Sequence, residues 1–263
     1  MLFAEQIFSI FGFPITNAML SSWVAVLVIV VFAWIVRRKL AVVPTQIQQA
    51  FELVLEGGLG LCDQVTGDRS LSEKIFPISI SVFFFILINN WLGLLPFGAF
   101  GVIREGAFVP FLRSGTADLN TTLALGIFTV IGANIFGIVT IGAWKVFNKY
   151  FNVLALRKMA KNAHHEPTEL IVQPIHFFVG IVEIVGEIAK IASLSFRLFG
   201  NVFAGEVLLA AMTALAAYIV PTPFMFLEIL VGLIQAVIFA MLVTVYFSIA
   251  AHDHSDDTAH EQH

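Results

Sequence analysis

The sequence predicts an all-α integral membrane protein with five membrane-crossing helices and one interfacial amphipathic helix, the last two crossings forming a long, strongly tilted hairpin. Composition is the first reason. Of 263 residues, 59% are hydrophobic, 27 are Phe and only 12% are charged, for a mean hydropathy of +0.92. A soluble core takes far less apolar surface than that. Run length is the second reason, because several apolar stretches exceed the ~20 residues a helix needs to cross hydrocarbon. Strand-period alternation is missing, which leaves a bundle rather than a barrel. Charge placement, the third, orders the crossings. Residues 1–263 read as a single membrane domain. The net charge of −4 is uninformative for a chain solvated mainly by lipid, and the lone cysteine, Cys62, excludes an intrachain disulfide.

The first crossing spans 20–36 and ends in Arg37-Arg38-Lys39; no Lys or Arg precedes it, so it lacks the basic start of a signal peptide. Positive charge favours the inner side, which puts the N-terminus outside and Arg37 inside. Residues 45–66 follow as an amphipathic helix on the inner surface, with Gln46, Gln48, Gln49, Glu52, Glu56 and Asp63 interrupting Ile47, Phe51, Val54 and Leu55. Residues 75–95 cross outward as far as Pro96, and 119–143 return. On this layout Arg37, Arg38, Lys39, Arg69, Lys74, Lys145, Lys149, Arg157, Lys158 and Lys161 lie inside, ten of the 14 basic residues. Arg104 and Arg113 lie outside, and Lys190 and Arg197 within the membrane. A crossing by 45–66 would put Arg69 and Lys74 outside and reverse every later helix, so the interfacial reading wins. Residues 169–250 form the hairpin. Its first arm would be ~75 Å long as a straight helix against a ~30 Å hydrocarbon core, so it tilts, bends or runs partly along the membrane plane. Tyr218 to Pro223 make the turn, and the polar tail, 251–263, ends inside.

The apolar first arm carries Glu183, Glu187, Lys190, Arg197 and Glu206. Arginine cannot shed its charge, and a central membrane charge costs at least ~2.5–3.5 kcal/mol on lenient insertion scales. So many ionisable groups in one such segment imply a path for ions. Glu169, His176, Glu183, Lys190 and Arg197 recur at heptad spacing, which drifts only ~20° per step and keeps them on one helix face. Asn201 stays near Arg197, whereas Glu206 points the opposite way. On the last helix Glu228 and Gln235 share a side, Glu228 at a depth that lets it face Glu206 and Gln235 level with Arg197 or Asn201. Two polar routes entering from different sides are the natural reading.

The run Ser193-Leu-Ser-Phe-Arg-Leu-Phe-Gly-Asn-Val-Phe-Ala-Gly-Glu206 closely resembles the signature of subunit a of F-type ATP synthases. Leu233-Ile-Gln-Ala-Val-Ile-Phe239 resembles that family's final-helix motif, and Asn90-Trp-Leu-Gly-Leu-Leu-Pro96 and Ala117-Asp-Leu-Asn-Thr-Thr-Leu123 resemble two earlier helix-end motifs. The resemblance implies a non-rotating proton channel beside a ring of c subunits that each carry one carboxylate. Peripheral-stalk b subunits and the rest of the complex are its further partners. It also implies a multi-pass protein of an energy-transducing membrane, the bacterial inner membrane, with its C-terminus cytoplasmic. Arg197 matches the essential arginine facing the ring. Glu206, Asn201, Glu228 and Gln235 match the outer-side path, and Glu183 and Lys190 the inner-side path. Asn90, Asp118, Asn120, Ser193 and His176 are candidates for polar support. Two positions depart from the family pattern: Glu228 stands where some relatives carry histidine, so two acids face each other and are expected to share a proton, and Gly115 replaces a common proline.

Blander readings stand beside these. Glu187 reads as solvated or structural, His176 as an ordinary polar residue near the interface, and Asn89 and Asn90 as helix-end caps. His164-His165 and the tail histidines, His252, His254, His260 and His263, lie in polar segments that fix no ligand geometry, so no metal is expected. No phosphate-binding Gly-Lys-Ser/Thr loop is present, hence no cofactor, nucleotide or nucleic acid is expected on this chain, nor catalysis on nucleotide by it alone. The rival class is an unrelated secondary transporter using Arg197 to bind an anionic substrate. It predicts a second broken helix in a repeat, and the sequence has none.

Overall fold

The computed structural model describes residues 6–10, 13–38, 46–94, 101–104, 107–110, 113–142, 169–216 and 219–251. Six α-helices organise them: α1 (Asn17–Arg38), α2 (Gln46–Thr66), α3 (Arg69–Leu94), α4 (Leu119–Ile141), α5 (Glu169–Leu215) and α6 (Pro221–Ala251). All but α2 are long and apolar enough to cross a membrane. The chain is thus an all-α membrane protein in its helices, as the composition implies. His164-His165, the tail histidines and Tyr218 lie outside the described residues. Two short antiparallel hairpins were not evident from the sequence: β1 (Gln6–Ile10) with β2 (Phe13–Thr16), and β3 (Gly101–Arg104) with β4 (Ala107–Pro110). Strands of four or five residues are too short to display a period, so their alternation carried no signal.

Contacts cluster into two compact units, Met1–Leu125 with Leu194–Thr244, and Gly126–Ser193 with Val245–His263. In the first, local chemistry sets the helix ends. Thr16 Oγ1 accepts from the backbone N–H of Met19 at 3.3 Å and opens α1. Gly67, at φ 68°, stops α2 in the left-handed region, its N–H donating to the Asp63 carbonyl at 2.9 Å. Asp68 then caps α3 by accepting from the Ser70 N–H at 2.9 Å. Arg69 ties this corner down by donating to Asp63 at 2.6 Å. Phe51 of α2 stacks on Phe84 of α3 at 6.0 Å and meets Phe32 of α1 edge-on at 5.6 Å, joining three helices through one aromatic cluster.

A one-turn 3-10 helix, Gly115–Ala117, precedes α4 and is fully buried against α1 and α3. Gly115 is needed there, because a Cβ at this position would meet Ser22 Oγ and come within 2.5 Å of Asn89 Oδ1. In the second unit, small residues bring α4 and α6 together. A Cβ on Gly132 would sit 3.2 Å from the Phe247 ring, and one on Gly137 would sit 2.6 Å from the Ala250 carbonyl oxygen. Lipid tails are as apolar as leucine, so close backbone approach of this kind is what holds membrane helices together.

Two measurements check this packing. Gly115→Ala overpacks the turn, which costs about 1–3 kcal/mol, and the detergent-purified variant is expected to melt at lower temperature than the parent; an unchanged melting curve would count against the tight fit. Burial pushes the Cys62 thiol above its ordinary pKa. Less thiolate is therefore present near neutral pH, so maleimide labelling is expected to be slow in the folded protein and fast after denaturation. Equal rates would show the thiol to be accessible.

Candidate functional site

Arg197 is aimed by its neighbours. Leu194 and Leu198 are buried, and the buried Ser195 donates its hydroxyl proton to the Thr122 carbonyl at 3.1 Å. These anchors occupy one side of α5, which leaves Ser193, Phe196, Arg197 and Gly200 on the exposed side. Arg197 therefore points away from the helices of its own unit, and no carboxylate among the described residues pairs with it. The surface around it is shallow. Phe196 is 60% exposed, then come Gly200, with open space where a side chain would be, Ala204 and Val207, all exposed. Asn201 is half-buried one turn beyond the arginine.

Further along α5 the sequence reading missed a residue. Arg113, only 9% exposed, grips Glu206, 24% exposed, with Nη2 at 2.5 Å from Oε2 and Nε at 3.0 and 3.2 Å from the two carboxylate oxygens. Its backbone N–H donates to Ser21 Oγ at 3.0 Å, which fixes the base of the side chain against α1. The next residues continue the network. Ser114 Oγ donates to the Asn89 carbonyl at 3.2 Å and lies 2.8 Å from Thr116 Oγ1. The Thr116 hydroxyl donates to Asn90 Oδ1 at 2.7 Å, and Asn90 Nδ2 donates to the Gly232 carbonyl at 3.2 Å. Buried hydroxyls, amides and an ion pair thus link α1, α3, the 3-10 turn, α5 and α6. The available signal for Arg113 was its position at the end of an apolar run, Ala107 to Leu112, shortly before the helix-end motif that begins at Ala117.

Glu228 lies at the same level. A Cβ on Gly205 would run into its carboxylate group, so only glycine lets α6 bring that acid beside Glu206. Glu228 thus packs its carboxylate against the residue that precedes Glu206, while Arg113 pairs with Glu206 itself. Gln235 is 6% exposed, and its amide nitrogen has no hydrogen-bond partner among the described residues, which leaves it available as a donor. Asp118 and Asn120 are joined in a helix cap instead, the Asn120 N–H donating to Asp118 Oδ1 at 3.1 Å at the start of α4.

In the second unit, Lys190 donates to Glu187 at 2.7 Å, and Asn134 Nδ2 donates to the other Glu187 oxygen at 3.4 Å. Lys190 also stands 5.5 Å above the Tyr246 ring. Glu187 is thus ion-paired and mostly buried rather than solvated. Glu183 is half-buried and has partners of its own. His176 lies on α5, its side chain outside the described residues. Among the described residues no group of three or more His, Cys, Asp or Glu is placed to hold a metal ion.

Asn90→Leu removes the amide that accepts from Thr116 and donates to the Gly232 carbonyl, a loss of about 1–3 kcal/mol. A clear drop in melting temperature is the expected result, and a variant as stable as the parent would show the network to be dispensable for packing.

Comparison with known proteins bears on residues across this whole framework. The family model described as ATP synthase A chain matches residues 19–248. Subunit a of the ATP synthase of Moorella thermoacetica is 28% identical over 251 residues, covering 95% of this chain and 97% of the relative. That of Syntrophobacter fumaroxidans is 31% identical over 248 residues, covering 93% and 88%. The sodium-ion-specific subunit a of Propionigenium modestum is 32% identical over 248 residues, covering 92% and 76%. With the arginine run, the final-helix motif and both helix-end motifs all inside the matched span, this chain belongs to the ATP synthase subunit a family.

Proposed function

We propose that the chain is the non-rotating ion-channel subunit of an F-type ATP synthase, with two offset half-channels that pass protons to the carboxylates of a c-subunit ring. The observation that carries this reading is Arg197, a permanent cation anchored to face outward from a membrane helix and paired with no acid among the described residues. Exposed on a helix long enough to span lipid, such a charge needs an acid supplied by a partner. A carboxylate facing hydrocarbon is neutral, since desolvation disfavours the anion. At ~4 Å from a guanidinium, with an effective dielectric of ~20, the attraction is ~4 kcal/mol, which holds the passing acid ionised. A proton arriving from outside neutralises one ring carboxylate and lets it enter lipid. Another, arriving from lipid, releases its proton inward and is drawn to Arg197. The same fixed charge repels protons that would leak directly from one inlet to the other.

The outer inlet is assigned to Glu206, Asn201, Glu228 and Gln235, and the inner to Glu183 and Lys190. The Asn90 network supports the former from behind, and Ser193 and His176 are polar support on the inner half of α5. Asp118 and Asn120 support the start of α4. The chain acts as one membrane domain, held by peripheral-stalk b subunits in a bacterial inner membrane, N-terminus outside and C-terminus cytoplasmic. It binds no nucleotide; catalysis belongs to other subunits.

Arg197→Ala is expected to abolish proton-driven ATP synthesis in reconstituted vesicles while the complex still assembles. Synthesis at the parental rate would refute the assignment. The coupling ion is the proton, and an absolute requirement for Na⁺ at neutral pH would overturn that choice.

A further inference from the structure

Three charged side chains meet at the outer end of the first unit, and their geometry divides the labour between the two acids. Glu206 is locked: Arg113 reaches it through two nitrogens, is itself 9% exposed, and is held at its backbone by Ser21. Fork-shaped guanidinium contacts of this kind favour a carboxylate that stays ionised and stays in place. Glu228, in contrast, is half-buried beside Gly205, and among the described residues no cation or hydrogen-bond donor engages its carboxylate. The charged groups at its level are Glu206 from α5 and, through it, Arg113 from the segment before α4. The neighbouring turn of α3 offers only Asn90 and Trp91, which donate to the Gly232 and Ile229 carbonyls at 3.2 Å each. Neither of those titrates in the working range.

We infer that Arg113 and Glu206 form a fixed ion pair that shapes the outer inlet, and that the transferable proton at this level rides on Glu228. This rests on the channel reading above. In each cycle Glu228 takes a proton from outside water, forming one O–H bond, and gives the same proton up inward toward the ring carboxylate. Glu206 stays in the ion pair throughout, and Arg113 is a positioning residue for it. Moving a proton onto Glu206 would give up its charge-assisted contacts with Arg113.

Variants of the whole ATP synthase in vesicles test this through passive proton flux across the membrane sector. Glu228→Gln is expected to lower flux at least tenfold, and Glu228→Asp to keep flux but move its pH profile. Glu206→Gln alone is also expected to lower flux, because it leaves the guanidinium without its acid. The double variant R113Q/E206Q, a neutral pair able to hydrogen-bond, is expected to recover at least tenfold over Glu206→Gln. No recovery in an assembled double variant would overturn the inference and make Glu206 the carrier. The parent complex gives an independent reading, because a hydrophobic carbodiimide attacks protonated buried carboxyls. Peptide mass spectrometry is expected to find the adduct on Glu228; an adduct on Glu206, or on neither acid, overturns the division of roles even if the double variant fails to assemble. Arg197→Ala, run in parallel, separates the failures: normal ATP synthesis there would sink the channel reading itself, whereas loss of synthesis there with the adduct on Glu206 sinks only this inference.

Discussion

Within one turn of α5, three anchored side chains and one exposed guanidinium sit back to back. Leu194, Ser195 and Leu198 bind the helix to its own unit, and Arg197 occupies the face they leave over. The Ser195 bond matters because a buried hydroxyl in hydrocarbon surroundings has no water to fall back on. Rotating the helix to withdraw the arginine would break that bond and expose two leucine sites at once. The charge is therefore fixed in direction by packing on the opposite side. Everything attributed to the two inlets depends on that, since an arginine free to swing would no longer hold its charge toward a partner.

The polar network around Arg113 obeys a different logic. Buried ion pairs seldom add net stability, because desolvating both partners offsets their attraction. Arg113 and Glu206 are better understood as shape: two charges held at defined positions by Ser21 and by the hydroxyl chain through Ser114, Thr116 and Asn90. Glycine at 205 and at 115 supplies the clearance, the first for the Glu228 carboxylate and the second for Ser22 and Asn89. Two missing side chains thus do as much to shape this network as the charged residues within it. On the other unit, Glu187 and Lys190 neutralise one another at 2.7 Å, so a pair of charges enters an apolar helix without a net charge.

Much of this was legible in the residues before any coordinates. Run length and basic clusters mark α1, α3, α4, α5 and α6, and the interrupted apolar pattern of 45–66 separates α2 from the crossings, as its absence from the membrane-length helices agrees. Heptad spacing put Arg197 on a definable face. What could not be read was Arg113. A lone basic residue between helices carries no period, and its charge count pointed only to a side of the membrane; the contact with Glu206 joins residues 93 apart in sequence. Lys190 illustrates the same limit at shorter range. Heptad reasoning aligned it with Glu183, whereas the nearer step to Glu187 forms the actual bond, because residues three apart on a helix lie within side-chain reach. The Asp118 side chain, a candidate for polar support, accepts a local backbone N–H. The two short hairpins had too few residues to announce themselves.

The relief of the surface beside Arg197 has a mechanical consequence. Helices interlock when tall ridges of one drop into deep grooves of the other. Along this face a single large ring, Phe196, is followed by Gly200, Ala204 and Val207, so a helix lying against it finds little to catch on. A helix docked there would be held by shallow apolar contact rather than by interlocked side chains, with the Arg197 guanidinium beside that track.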